Sequence, residues 1–486
     1  MGNKLREIFF ASGSIRKIVF KNFMWLGVSQ IGSRLIRAAI TIYSARALGA
    51  GEYGVFSYAL GLAGFFVIFK NIGVDAIITR DIAKDPSSRD KIFSTGFWIE
   101  IGLLIITAAL LLFIAPLFSK INEAIMLLPI VAIMLIADDL RDFFIAFFRG
   151  VEKMEWEAFV ITMANVLATV FGFIALAYSK TPFVLVVSYT TASLLVTFIT
   201  GGIIFWRYGF RVIKNFSGKL VLPILKSAWP IAATALPGMF LFNIDLVMLG
   251  WWRGVSEIGV YSAAQKLIGI LAIFSTLVAT STFPVFARFA HMKDSEKIKS
   301  LTENTLKIIF LFAVPIIFGG ALLGTSLLQY IFGNEYSSGG IAFVVLLLSI
   351  LATHPLAIIT NFVFAYDMQR KIVLFPFIVG ILSLVLNFFL IPKFGIIGAA
   401  FSTLLSFSVY IFLMYKFAKK IEYFRFFPNP QKIFFSALIM LVGAMAMKIF
   451  GVQVIINIIV SAGIYITSLF LLKEAAIFEV LGLLKK

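Results

Sequence analysis

Residues 49–62 read GAGEYGVFSYALGL, and residues 254–267 read GVSEIGVYSAAQKL. At an offset of 205 residues the two align without a gap: Gly49, Glu52, Gly54, Val55, Ser57, Ala59 and Leu62 recur as Gly254, Glu257, Gly259, Val260, Ser262, Ala264 and Leu267. Seven identities in fourteen positions exceed what apolar composition alone supplies. Each copy straddles a short turn between two apolar stretches, the first and second of one half and the seventh and eighth of the whole. The chain therefore reads as a duplication.

Working outward from these copies, fourteen apolar stretches of membrane-spanning length account for nearly all 486 residues. A bilayer core needs about 20 apolar residues per helix. The apolar fraction of 61%, the charged fraction of 14% and the mean hydropathy of +1.01 fit that use of the chain. Six spans per half make a parallel repeat, related by an axis along the membrane normal. The expected fold is an all-α polytopic membrane protein of about 14 transmembrane helices, with two pseudo-symmetric six-helix lobes and two additional C-terminal helices. Residues 1–21 form a basic amphipathic segment, not a cleaved signal peptide. Spans 1–6 occupy 22–206, a cytoplasmic linker 207–220, spans 7–12 residues 221–420, spans 13 and 14 residues 421–472, and a cytoplasmic tail 473–486.

Of the 42 Lys and Arg residues, thirty-three fall in the N-terminal tail, the even-numbered gaps and the C-terminal end. Only Arg46, Lys120, Lys180, Arg253, Lys393 and Lys448 lie on the other side. Positive residues in short loops stay cytoplasmic, which places both termini on the cytoplasmic side of the plasma membrane. The same dispersal explains the formal charge of +18 without nucleic acid. The absence of cysteine excludes disulfides and thiolate metal sites, and neither a metal site nor a cofactor is expected.

Three cations remain inside spans. Arg34 and Arg37 sit three residues apart and share a helix face, about 18 Å into span 1. Lys266 lies about 15 Å into span 8 from the opposite end. Each costs roughly 2.5–3.5 kcal/mol to insert, so the expected compensation is an anionic ligand near the midplane, with Arg34, Arg37 and Lys266 as its phosphate-binding residues. The competing reading pairs them with Glu100, Asp138, Asp139, Asp142 or Asp245 to fix helix packing. Gln30, Asn243, Asp245 and Gln265 are the polar residues expected beside them, as cavity contacts or as interhelical hydrogen bonds. Prolines at Pro230, Pro237, Pro315, Pro355 and Pro376 are candidate bends.

Three apparent motifs fail on context. Gly49, Gly51 and Gly54 fit the dinucleotide fingerprint but lie between two membrane helices, with no strand before them. Asp138, Asp139 and Asp142 have the spacing of a magnesium-pyrophosphate cluster, but Arg141 stands among them. His354 precedes Pro355 at mid-depth, where a structural histidine is the simpler reading than a proton relay. No external loop is long enough to build a soluble catalytic face. Transport is the expected activity, not catalysis.

The opening of span 1 from Lys21-Asn22-Phe23 belongs to a wider set of runs. The others are Ala47-Leu48-Gly49, Glu52-Tyr53-Gly54-Val55-Phe56, Asn71-Ile72-Gly73-Val74-Asp75, Thr79-Arg80-Asp81-Ile82-Ala83 and Phe148-Arg149-Gly150 with Lys153-Met154. Together they resemble the polysaccharide flippase branch of the multidrug, oligosaccharidyl-lipid and polysaccharide exporter superfamily. The resemblance covers spans 1–12. It implies translocation of polyprenyl-(pyro)phosphate-linked oligosaccharide by alternating access of two lobes, with the midplane cations on the phosphate. It also implies partners: the lipid-linked oligosaccharide, membrane lipids and glycan-assembly enzymes, and no nucleic acid. In some relatives spans 13 and 14 shape a groove for the lipid tail. The alternatives are a multidrug cation extruder of the same superfamily, which a cationic cavity disfavours, an intramembrane prenyltransferase and a non-transporting scaffold.

Overall fold

A computed structural model describes residues 15–67, 72–209 and 214–474, with side chains outside 15–31 and 230–242. Among the described residues the chain is helical and contains no strand. This is the solution a bilayer imposes, because a helix satisfies its backbone hydrogen bonds internally. The helices are α1 (Ile15–Phe66), α2 (Val74–Lys84), α3 (Arg89–Ala109), α4 (Asn122–Gly150), α5 (Met154–Tyr178), α6 (Pro182–Tyr208), α7 (Gly218–Trp252) and α8 (Val255–His291). They continue as α9 (Ser295–Phe332), α10 (Gly340–Leu348), α11 (Ile350–Ala365), α12 (Gln369–Ile372), α13 (Leu374–Ile421), α14 (Gln431–Ile449) and α15 (Val454–Leu471).

Among the described residues, fourteen spans emerge once two breaks are recognised. α1 is 52 residues long and turns at Gly49, with φ 76° and ψ 171°. α13 is 48 residues long and turns at Gly395, with φ 57° and ψ −134°. Both φ values lie where a side chain is strained and glycine is not. Each long helix thus supplies two spans, while α10 and α11 together supply one. The amphipathic segment expected over 1–21 falls largely on residues 1–14, outside the described residues, and α1 begins at Ile15. Residues 210–213 of the linker and 475–486 of the tail are also outside them.

Contacts divide the chain into two compact units, Met1–Leu48 with Val55–Met239, and Gly49–Gly54 with Phe240–Lys486. In the N-terminal unit, Phe93, Phe143, Phe147 and Phe148 are buried, and the Phe93 and Phe143 rings stack at 5.2 Å. Gly150 lets α2 approach α4, since a Cβ there would lie 2.9 Å from that of Ile82. Thr79 Oγ1 donates to Ala146 O at 3.1 Å across the same contact. Arg149 reaches Glu157 on α5, its Nε donating to Oε2 at 2.9 Å. The Thr79-Arg80-Asp81 and Phe148-Arg149-Gly150 runs therefore build a packed corner.

In the C-terminal unit, α14 and α15 form a hairpin joined by Ser468 Oγ to Ser436 Oγ at 3.1 Å and Asn457 Nδ2 to Ala444 O at 3.0 Å. The hairpin docks on α9. Tyr465 OH donates to Leu311 O at 2.9 Å, Lys448 Nζ to Leu322 O at 2.8 Å, and Lys307 pairs with buried Glu474. At the Lys- and Arg-poor end, Arg253 Nη2 donates to Ile391 O at 3.1 Å and Pro392 O at 3.0 Å. These bonds tie the end of α7 to the break in α13.

Candidate transport site

α1 places Arg34 and Arg37 one turn apart, and both are exposed. Arg37 is oriented from α5: its Nε donates to Asn165 Oδ1 at 2.8 Å, and Asn165 Nδ2 in turn donates to Ile161 O at 2.8 Å. The guanidinium is thereby positioned by a neutral amide. Among the described residues neither Arg34 nor Arg37 makes an ion pair. Two candidate counter-charges are engaged elsewhere, because Arg141 holds Asp138 at 2.5 Å and Asp142 at 2.9 Å. Ser193 Oγ adds a bond to Asp138 at 2.9 Å. Arg141 thus stands between Asp138 and Asp142 on α4 and pairs with both.

In the C-terminal unit Lys266 is exposed on α8, whereas Asn243 and Gln265 are half-buried. Gln30 lies in α1, with its side chain outside the described set. Asp245 is 1% exposed. Its carboxylate accepts from Asn387 Nδ2 at 2.6 Å, Tyr261 OH at 2.8 Å and Thr403 Oγ1 at 2.7 Å. These partners come from α8 and from both halves of α13, so one carboxylate joins four spans. All its donors are neutral, and Asn387 Oδ1 has no donor among the described residues. A carboxylate so placed can hold a proton or a small cation. His354 is buried 3% exposed on α11, with Nδ1 3.3 Å from Thr353 Oγ1.

A separate cavity of about 500 Å³ opens among α8, α9, α10, α14 and α15. Leu271, Pro315, Gly319, Met440, Tyr465 and Phe470 contribute to a wall that is almost wholly apolar. Such a space accepts hydrocarbon and rejects charge.

Asn165, Tyr261, Asn387 and Thr403 escape a reading of the sequence for charges. The one signal available is polarity within apolar runs, Asn387 standing in LSLVLNFFL. Tyr261 replaces the Phe56 of the first repeat copy.

The polysaccharide biosynthesis protein family model matches residues 19–290, more than half of the chain. The chain belongs to that family. It is 23% identical over 396 residues to the "Probable flippase AglR" of Haloferax volcanii, covering 78% of this chain and 79% of that protein. Its fold is that of the structure titled "Lipid II flippase MurJ, inward closed conformation", with TM-score 0.73, 18% identity, and coverage of 92% and 98% of the two chains. It also matches an inward-facing multidrug resistance MATE transporter of the MOP superfamily, with TM-score 0.61, 15% identity, and coverage of 86% and 97%.

Proposed function

We propose that this protein carries a polyprenyl-(pyro)phosphate-linked oligosaccharide across the cytoplasmic membrane by alternating access, with both termini on the cytoplasmic side. The observation that carries the reading is the pair Arg34 and Arg37, exposed within a membrane span and without an ion pair among the described residues. Two guanidiniums kept charged in an apolar span require an anion or water to offset about 5–7 kcal/mol of insertion cost. Their planar forks match phosphate oxygens in pairs. Lys266 adds a point charge from the second repeat half.

The apolar cavity bounded by α14 and α15 suits the prenyl chain. Tail and headgroup are then held by different chemistry. Asp245 is the natural coupling group. A carboxylate surrounded by neutral donors inside a membrane is stabilised when a proton or small cation neutralises it, and its four-span position links that event to helix arrangement. The substrate crosses unchanged, and glycan-assembly enzymes that make and consume it are the functional partners.

Reconstituted vesicles loaded with a polyprenyl diphosphate sugar test the reading. The wild-type protein should move it between leaflets, and an Arg34→Ala, Arg37→Ala variant should not. Equal rates for the two proteins, or movement of a lipophilic cation instead, would overturn it.

A further inference from the structure

The Gly49 break leaves the new helix with unsatisfied N–H groups at its start. One of them, Ala50 N–H, donates to Glu335 Oε2 at 2.8 Å, although Glu335 is 285 residues away. Glu335 lies in the 3-10 turn Asn334–Gly339 between α9 and α10. It therefore caps a helix to which it is not attached in sequence. The cap is tightly built, since a Cβ on Gly49 would lie 3.0 Å from Glu335 Oε2. Immediately below, two glycines bring backbone against backbone. A Cβ on Gly54 would be 1.8 Å from Val255 O, and one on Gly259 would be 1.9 Å from Ala50 O. Ala50 and Val255, like Gly54 and Gly259, are equivalent positions of the repeat. The contact thus pairs equivalent positions of the duplication, and Glu335 fastens it with a carboxylate.

Residues Gly49–Gly54 belong by contact to the C-terminal unit, while the residues on either side belong to the N-terminal one. We propose that Glu335 is a gating residue for transport, a releasable cap that holds the turn 49–54 on the Lys- and Arg-poor face and must detach from Ala50 for that face to open. The proposal rests on the alternating-access reading above. A charged acceptor suits the task, because its bond to a backbone N–H is strong when dry and is readily replaced by water when the face opens. Gln in its place keeps an oxygen acceptor and loses the charge.

Amide hydrogen exchange of the full-length protein in lipid nanodiscs reads the cap without any substrate, so its outcome is separable from the assignment of the cargo. Glu335→Ala should speed exchange across residues 50–56 roughly tenfold to hundredfold, with Glu335→Gln intermediate. A cap that merely stabilises the end of one helix would give the same acceleration under any restraint. A cap that gates the face would not. Cysteines placed at Ala50 and Val255 and bridged by a short bismaleimide should therefore return Glu335→Ala to the slow exchange of the bridged parent. Glu335→Gln, which preserves shape, serves if the alanine variant folds poorly. Unchanged exchange in both variants, or acceleration that persists in the bridged protein, would overturn the proposal.

Discussion

Replacing Gly259 with Ala puts one methyl group where the backbone of the first repeat copy already stands. The new Cβ would lie 1.9 Å from Ala50 O, 2.9 Å from Ala50 C and 2.9 Å from Gly54 N. A carbon resting against a carbonyl oxygen needs about 3.3 Å, so the two segments must part by roughly 1.4 Å. No side chain can rotate away, because all three neighbours are backbone atoms. Overpacking of this kind costs about 1–3 kcal/mol, a shift of roughly 5- to 150-fold against the closed contact. Gly54→Ala meets Val255 O at 1.8 Å and should act with about the same size. Once one methyl has parted the segments, the second adds little, so the double variant should fall well short of the sum. Exchange of residues 50–56 measured on the single and double variants gives all three quantities. Wild-type exchange in the single variants, or a fully additive double variant, would show that the glycines do not form one contact.

Four further outcomes follow from the site and the topology. Arg34→Lys and Arg37→Lys should each retain partial translocation in the vesicle assay, since a point charge still attracts phosphate but lacks the bidentate fork; activity equal to alanine would refute that. Asp245→Asn keeps the shape and removes the charge, so translocation should lose its response to an imposed ion or proton gradient while the protein still folds, as judged by its melting profile. Cysteines at Lys297 and Gly218 should be shielded from an impermeant external thiol reagent in sealed cells while one at Asn334 labels, against a background free of native cysteine. Glu474→Ala leaves Lys307, 15% exposed, without its buried partner and should lower the melting temperature by several degrees, about 3–5 kcal/mol being typical for such a loss; Lys307→Met with Glu474→Leu should recover most of it.

Span number and the duplication were legible because both are written in patterns that need no tertiary knowledge. Apolar length reports crossing, and seven recurring residues report the repeat. The helix break at Gly49 was visible only as a turn, and the one at Gly395 only as the gap that holds Lys393; that the helix continues on either side depends on φ, which composition does not encode. The same holds for the site. Arg34 and Arg37 announce themselves as charges in an apolar run. Asn165 does not, because its meaning comes from Arg37 lying 128 residues away. The donors around Asp245 sit 16, 142 and 158 residues from it, and each alone is an ordinary polar residue in a membrane helix. Pairing across such separations is set by packing, which one sequence without relatives does not display.

Asp245 and Tyr261 also set the two repeat copies apart. At the 205-residue offset their counterparts are Ile40 and Phe56, both buried, so the first half offers hydrocarbon where the second offers a carboxylate and a phenol. Because the repeat is parallel, exchanging its halves about an axis along the membrane normal leaves the two faces of the membrane distinct. Descent from a duplicated gene would first leave the halves chemically alike. A few side-chain changes confined to one copy are enough to end that likeness, and they put the one group able to change its charge on a single side of an otherwise repeated backbone.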